Sequence, residues 1–375
     1  MTEEKATFGA PLKIPGWINY VLIPLINLLA AFLISAIVIL IVGDNPLKAL
    51  EVLVYGAFGY PEAIGYTLYY TTNFIFTGLA VAIAFHCGLF NIGAEGQAML
   101  GGLGAALVCL HLDWMPTLAI IPIAVVAAAL FGAAWAFIPA WLQAKRGSHI
   151  VITTIMFNFI ASALITYLLV NVMVDPAGQS PVSRAFAEHS WLPHFDEFFD
   201  MPETPLNISF LYAIALSVGF YFFVWHTRWG YEIRVVGQNE QAARYAGISP
   251  ARNIIIAMMI SGALAGLVGV NEIEGVQHRL ILDFTGGYGF VGIAVALMGR
   301  NNPIGIFMAA LLFGALYQGG SELAFDMKSI NKEMVIVIQG LIILFSGALE
   351  HMFRPRIEAA YRRLALSRLK PEEAA

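Results

Sequence analysis

The stretch RWGYEIRVVGQNEQAARYAGISP, Arg228–Pro250, is a polar, arginine-bearing island between two long apolar runs. Its centre, Glu240 to Tyr245, is built from Ala, Gln, Glu and Arg, which favour helix. Gly237 precedes that centre and Gly247 follows it, so the spacing predicts a short helix with loosened ends. The segment cannot lie in hydrocarbon, because Arg228, Arg234, Glu240 and Arg244 would each be costly there. Its excess of arginine places it on the cytoplasmic side of a membrane. A structured helix there, in a chain with little other soluble mass, needs a partner.

Outward from this island the chain turns apolar on both sides. Of its 375 residues, 59% are hydrophobic and only 12% charged. A soluble domain carries about 25% charged residues. Apolar runs of spanning length point to an all-α, polytopic membrane helix bundle. The net charge of −5 says little, because topology follows where charge sits. Cys87 and Cys109 are expected near opposite ends of one helix, about 30 Å apart and too far to bridge. Met1–Gly16 is mixed in charge, and the apolar run behind it is too long for a signal peptide, so it is expected to remain as a helix.

Ten spans are expected, at roughly 17–42, 62–86, 90–111, 117–142, 150–173, 207–226, 251–271, 287–300, 303–325 and 331–350. The loops test the count. Lys5 and Lys13, then Lys145 and Arg146, then Arg228, Arg234, Arg244 and Arg252, then Arg300, and finally Arg354 to Lys370 all fall on one side. The other side receives Asp44, Glu51, Glu62, Asp113, the acidic loop 175–203, Glu272, Glu274 and Asp283. This alternation puts both termini in the cytoplasm. The implied organisation is a cytoplasmic segment 1–16, a transmembrane domain 17–350 and a basic cytoplasmic tail 351–375. Leu47–Phe58, amphipathic between Pro46 and Pro61, is expected on the outer surface. Asp175–Pro205, rich in proline and carrying Trp191, reads as an ordered external loop with aromatic anchors. A faint echo links Gly78–Phe85 to Gly292–Gly299, each followed by Asn and Gly, as two halves on a related plan would be.

Three places could carry function. In Cys87–Gln97, Asn91 and Glu95 are spaced to share a helix face, and a carboxylate just inside the membrane is a functional signal. The alternative is that Glu95 is held by helix N-terminal N–H groups and touches no solute. Gly286–Gly292 opens a segment too short for a full span, which marks either a transport site or close packing through small residues. Uncharged polar residues lie inside spans: Thr67, Thr71, Thr72, Asn73, Thr77, Thr153, Thr154, Asn158, Gln318, Ser321 and Gln339. They suit a path for a neutral, hydrogen-bonding solute, or glue between helices. There is no Walker A lysine, no paired metal-ligand spacing, no catalytic constellation, and no nucleic-acid footprint beyond the tail.

Four motifs resemble a known family. GLFNIGAEGQ (Gly88–Gln97), ITTIMFNFI (Ile152–Ile160), GQNEQAARYAGI (Gly237–Ile248) and GYGFVGIAVALMGRNNPIG (Gly287–Gly305) look like the inner-membrane permease subunits of bacterial ATP-binding cassette (ABC) importers. The group is the branched-chain amino acid/ribose-type permeases, and the likeness is greatest to the simple-sugar and nucleoside permeases served by basic-membrane-protein-type binding lipoproteins. The resemblance covers most of the chain from about residue 40 to 350.

It implies a partner for the opening stretch. ABC permeases dock a cytoplasmic helix with the pattern EAA-x3-G into a cleft on an ATPase. Here Gln241-Ala242-Ala243 is followed by Gly247, with Gln in place of the acidic residue and Glu240 beside it. The coupling role then falls on Gly237, Glu240, Gln241, Ala242, Ala243, Arg244 and Gly247, within a coupling segment 228–250. The translocation path is expected among Asn73, Asn91, Glu95, Gln97, Asn158, Tyr288 and Phe290. His149 stands where many relatives carry an acidic residue. The resemblance further implies a second permease, an external solute-binding protein, a multi-pass place in the bacterial inner membrane surrounded by lipid, and no cofactor on this chain, ATP and Mg being bound by the ATPase. The rival is an ion-coupled secondary transporter or channel, which calls for ionisable residues at mid-membrane.

Overall fold

The computed structural model describes residues 23–341 and 344, apart from 177, 179, 199–201, 328 and 332. The expected terminal segments 1–16 and 351–375, the start of the first span and much of the last lie outside these residues. The described residues fall into two compact units, one within Met1–Leu50 and Ala324–Ala375, the other Glu51–Leu323. Among them there is no β-strand, only an isolated bridge between His194 and Asn207. The fold is a polytopic helical bundle.

In chain order the helices are α1 Ile23–Val42, α2 Pro46–Phe58, α3 Pro61–His86, α4 Ala94–His111, α5 Thr117–Arg146, α6 Ile150–Asn171, α7 Ser209–His226, α8 Arg228–Gln238, α9 Glu240–Tyr245, α10 Pro250–Gly266, α11 Tyr288–Met298 and α12 Pro303–Asp326. Six helices are long and apolar enough to cross a membrane, or seven if Phe32–Val42 and Pro46–Phe58 form one broken span. The ten-run reading also counted α4, which is 18 residues long and glycine-rich, and α11, which has only 11 residues.

The ends are written in local chemistry. Proline opens α10 behind Ser249, whose Oγ accepts the Arg252 N–H at 3.4 Å. Gly147 closes α5 in the left-handed conformation, φ 68°, which glycine adopts at little cost. In the core, α10 packs most extensively on α5, and α4 also lies against both. Gly262 of α10 meets Gly132 of α5 backbone to backbone, and Gly266 meets Gly101 of α4. In a membrane such close approach supplies the dispersion and Cα–H contacts that hold helices together. A Cβ at Gly262 would overlap the Gly132 carbonyl. Gly262→Ala is therefore expected to destabilise the bundle by about 1–3 kcal/mol. Thermal unfolding in detergent checks this, and an unchanged midpoint would show that the helices can part freely.

One boundary differs from expectation. The helical run that begins at Pro250 continues to Gln277, its last turns, Val270–Gln277, wound as a π-helix. Glu272 and Glu274, expected outside the membrane, belong to this span and are only 3% and 0% exposed. A polar run at the end of an apolar one reads as loop, but here α3 supplies the partners. Glu272 Oε1 accepts from Tyr69 OH at 2.5 Å and from Asn73 Nδ2 at 2.6 Å. Asn271 donates to Asn73 Oδ1 and accepts from Asn207 and Ser209.

Between α6 and α7 the described residues of the loop are tied down by local turns and by bonds to the end of the Pro250–Gln277 run. The loop carries short 3-10 turns at Glu188–Ser190 and Phe195–Glu197. Its backbone N–H groups at Ser183, Phe186 and Leu192 donate to the carbonyls of Leu280, His278 and Glu274. The His194 ring lies between the carbonyl oxygens of Thr204 (3.1 Å) and Gly275 (2.7 Å), and Trp191 stacks on His278 at 3.8 Å. Burial, with His194 nearby, pushes the His278 imidazole below its usual pKa. Arg184 bonds both the Leu110 carbonyl and Asp113. The two echoing stretches lie side by side: Gly78 of α3 faces Val295 of α11, and Gly292 of α11 faces Thr77 of α3. Their shared alphabet serves one mutual packing surface.

Candidate functional site

The chain between α3 and α4 sets the geometry. α3 ends at His86, where Gly88 turns with φ 73° and the Leu89 N–H reaches back to the Ala84 carbonyl. Leu89–Ile92 carry no helical or strand assignment, yet Leu89 and Asn91 are buried. Non-helical backbone in a bundle needs side-chain partners. Asn91 Oδ1 accepts the Gly93 N–H at 2.8 Å, and its Nδ2 donates to Gln97 Oε1 (2.9 Å) and Ser261 Oγ (2.8 Å). Asn158 of α6 accepts from the Gly96 N–H and donates to the Ile92 carbonyl, both at 2.9 Å. Cys87 sits at the start of this segment rather than on the helix that holds Cys109; both are free and buried.

Glu95 lies in the first turn of α4 and is buried. Its Oε1 accepts from Thr285 Oγ1 (2.5 Å) and the Gly287 N–H (3.0 Å), and its Oε2 from the Gly289 N–H (2.7 Å). Those N–H groups begin α11. A helix starting inside a bundle has orphan donors and a positive end, and a carboxyl from a neighbouring helix answers both. α11 spans 11 residues, a rise of about 16 Å, roughly half a bilayer. Its far end meets the turn at Asn301, which His86 touches. Glu95 therefore sits about one length of α11 from that turn.

Glu95, Asn158 and Phe290 line a cleft of about 380 Å³ together with Asp283, Thr285 and Phe159. Three of the seven expected path residues thus share one concave site. Asn91 and Gln97 lie buried behind it, bonded to each other. Tyr288 turns the other way, into an aromatic cluster with Tyr70, Phe74 and Tyr317. Asn73 belongs to the Glu272 network. The hydroxyls of Thr67, Thr71, Thr72, Thr77, Thr153 and Thr154 mostly bond carbonyls of their own helices, as buried threonines do.

The polar island forms two helices. Thr227 caps α8, accepting the Gly230 N–H at 3.1 Å. Asn239 caps α9, accepting from the Gln241 and Ala242 N–H groups at 2.9 and 3.0 Å. The expected loose start is thus a firm cap, while Gly247, φ 76°, closes the far end as expected. Gly237 belongs to α8 and touches Gly88 and the His86 carbonyl. Ala243 is 0% exposed and faces its own bundle, whereas Gln241, Ala242, Arg244 and Tyr245 point outward, Tyr245 at 95% exposure.

Residues 63–347 match the family described as branched-chain amino acid transport system / permease component. The chain belongs to this permease family. The permease is 35% identical to the glucose ABC transporter permease protein TsgB13 of Haloferax volcanii, over 93% of each chain. It is 35% identical to the guanosine ABC transporter permease protein NupP of Bacillus subtilis, covering 88% of this chain and 93% of that one. The nucleoside ABC transporter permease protein NupB of Lactococcus lactis is 37% identical, over 87% and 90%. The permease is a membrane-embedded, multi-pass transport subunit of the ABC importer kind and not an enzyme. Among its described residues no group of His, Cys, Asp and Glu is placed to hold a metal ion.

The Glu272 network was missed by the sequence. The signal that could have found it is Tyr69 and Asn73, four residues apart on one face of α3 and both in need of partners.

Proposed function

We propose that this permease carries a nucleoside, a purine-like compound or a simple sugar, delivered by an external binding protein, and that an ATPase subunit drives it through α9. The feature that supports this most is the outward face of α9, Gln241, Ala242, Arg244 and Tyr245, on a firmly capped helix with Gly247 behind it. ATP and Mg belong to that ATPase. A second permease, identical or homologous, completes the assembly across the transmembrane domain 17–350. The end bearing Arg228, Arg234, Arg252 and Arg300 faces the cytoplasm, with both termini; the loop before α7 faces the binding protein. The cleft at Glu95, Asn158 and Phe290 is the solute's place in this subunit, where an aromatic ring and polar atoms suit a neutral, hydroxyl-bearing ligand.

The deciding experiment is a binding screen of the cognate external receptor with guanosine, other nucleosides, glucose and pentoses, followed by uptake of the tightest ligand. Binding of branched-chain amino acids alone would sink the substrate assignment. One observation favours the ion-coupled rival: Glu272 and Glu274 lie buried within a span, and the Glu274 carboxyl oxygens have no hydrogen-bond partner among the described residues. That rival predicts uphill uptake by vesicles holding this permease without any ATPase.

A further inference from the structure

The segment that bears α9 is joined to the cleft by a short chain of contacts: α3 packs along α11, and His86 adds a side-chain link at the far end of α11. α7 runs through Thr227 into α8, and Asn239 links α8 to α9. Near its end α8 presents Gly237 to the His86 carbonyl and the Cys87–Gly88 backbone, with no side chain between them. Backbone against backbone is stiff: there is no rotamer to absorb a displacement. The His86 ring, at the end of α3, has partners of its own. It packs edge-on to Trp225 of α7, centroids 5.3 Å apart at 86°, and lies 6.1 Å from Phe220. Its Nε2 is 3.0 Å from the Asn301 carbonyl oxygen. A carbonyl can only accept, so Nε2 carries the proton and donates.

Asn301 is no ordinary turn residue. It and Arg300 both hold left-handed backbone, φ 54° and 53°, between α11 and α12. Its N–H returns to the Ala296 carbonyl at 2.9 Å and closes the end of α11. At the other end of α11 lie Gly287 and Gly289, bound to Glu95, and Phe290 in the cleft wall. α11 is thus held at both ends, by Glu95 at its start and through Asn301 at its finish.

We propose that His86 is the positioning residue that passes displacement of Arg228–Tyr245 to α11 and so to the cleft. The inference rests on the reading of α9 as the ATPase contact. His86 touches neither solute nor nucleotide; it acts through Asn301.

Two substitutions separate its hydrogen bond from its packing. His86→Phe keeps a ring against Trp225 and Phe220 and has no donor. His86→Gln keeps a donor and loses the ring. Each goes into the complete transporter in proteoliposomes, with its ATPase and binding protein. The readouts are retention of the ATPase, ATP hydrolysis, and guanosine or glucose taken up per ATP, using whichever solute the wild type accumulates. His86→Phe is expected to retain the ATPase and its basal hydrolysis and to lower uptake per ATP about tenfold, the scale of one lost buried hydrogen bond. His86→Gln is expected within about threefold of wild type, the donor being kept. Wild-type uptake per ATP in His86→Phe overturns the proposal. So does a deficit in His86→Gln equal to that in His86→Phe, or loss of the ATPase or of folded protein in His86→Phe. A Tyr245→Ala arm keeps the two readings apart. If Tyr245→Ala binds ATPase normally, the α9 contact is wrong and the proposal falls with it. If Tyr245→Ala loses the ATPase while His86→Phe behaves as wild type, only the role of His86 falls.

Discussion

Tyr245→Ala is expected to strip the ATPase from the permease while leaving the permease folded in the membrane. Tyr245 is 95% exposed at the end of a six-residue helix and stands clear of its own bundle. A large aromatic side chain held out on a capped helix has no stabilising role in the isolated chain. At an interface the same side chain is the commonest kind of anchor, and truncating one costs about 2–4 kcal/mol. That corresponds to roughly 30-fold to 1,000-fold weaker association. Co-purification through a tag on the permease, with thermal unfolding as the control, reads both halves of the expectation. Intact co-purification would place the ATPase contact elsewhere. Ala243 is the wrong position for this test, although its place in the motif invites it. It is fully buried, so an arginine there would unseat α9 from its own bundle, and lost coupling could not be told from lost packing.

That contrast shows what the sequence can and cannot disclose. The helix Glu240–Tyr245 and its glycine stop were legible, because capping and turn chemistry are local. Which face of a two-turn helix points outward was not, because Ala242 and Ala243 are chemically alike and only tertiary contact divides them. The span pattern was legible from hydropathy through most of the chain. It failed at Asn271–Glu274, where a polar end to a helix is paid for by hydrogen bonds from Tyr69 and Asn73, some two hundred residues away. Hydropathy weighs residues singly and cannot see a partner. For Glu95, the kind of bonding was legible but not the partner. Helix N-terminal N–H groups do bind it, but they belong to α11, and its carboxyl also lines the cleft.

Glu95→Ala is expected to be the most damaging single change at the cleft. It removes the acceptor for three donors at once: the Thr285 hydroxyl and the Gly287 and Gly289 N–H groups. Donors left unpaired in a buried site cost about 1–3 kcal/mol each, though not additively. A total on the order of 3–6 kcal/mol is a large part of a protein's stability. Water could rescue Gly287 from the open side of the cleft, but Gly289 lies against the α4 backbone, where there is no room. Glu95→Gln should fall between. Its oxygen can keep either Thr285 and Gly287 or Gly289, and its amide nitrogen then opposes an N–H on the other side. The expected order of thermal midpoint in detergent is therefore wild type, then Gln, then Ala, with uptake falling in the same order. An alanine variant with the wild-type midpoint would mean that α11 is anchored by something else. A glutamine variant that is as stable as wild type yet transports nothing would mean more: that the carboxyl binds the passing solute itself, and holding α11 is its lesser task.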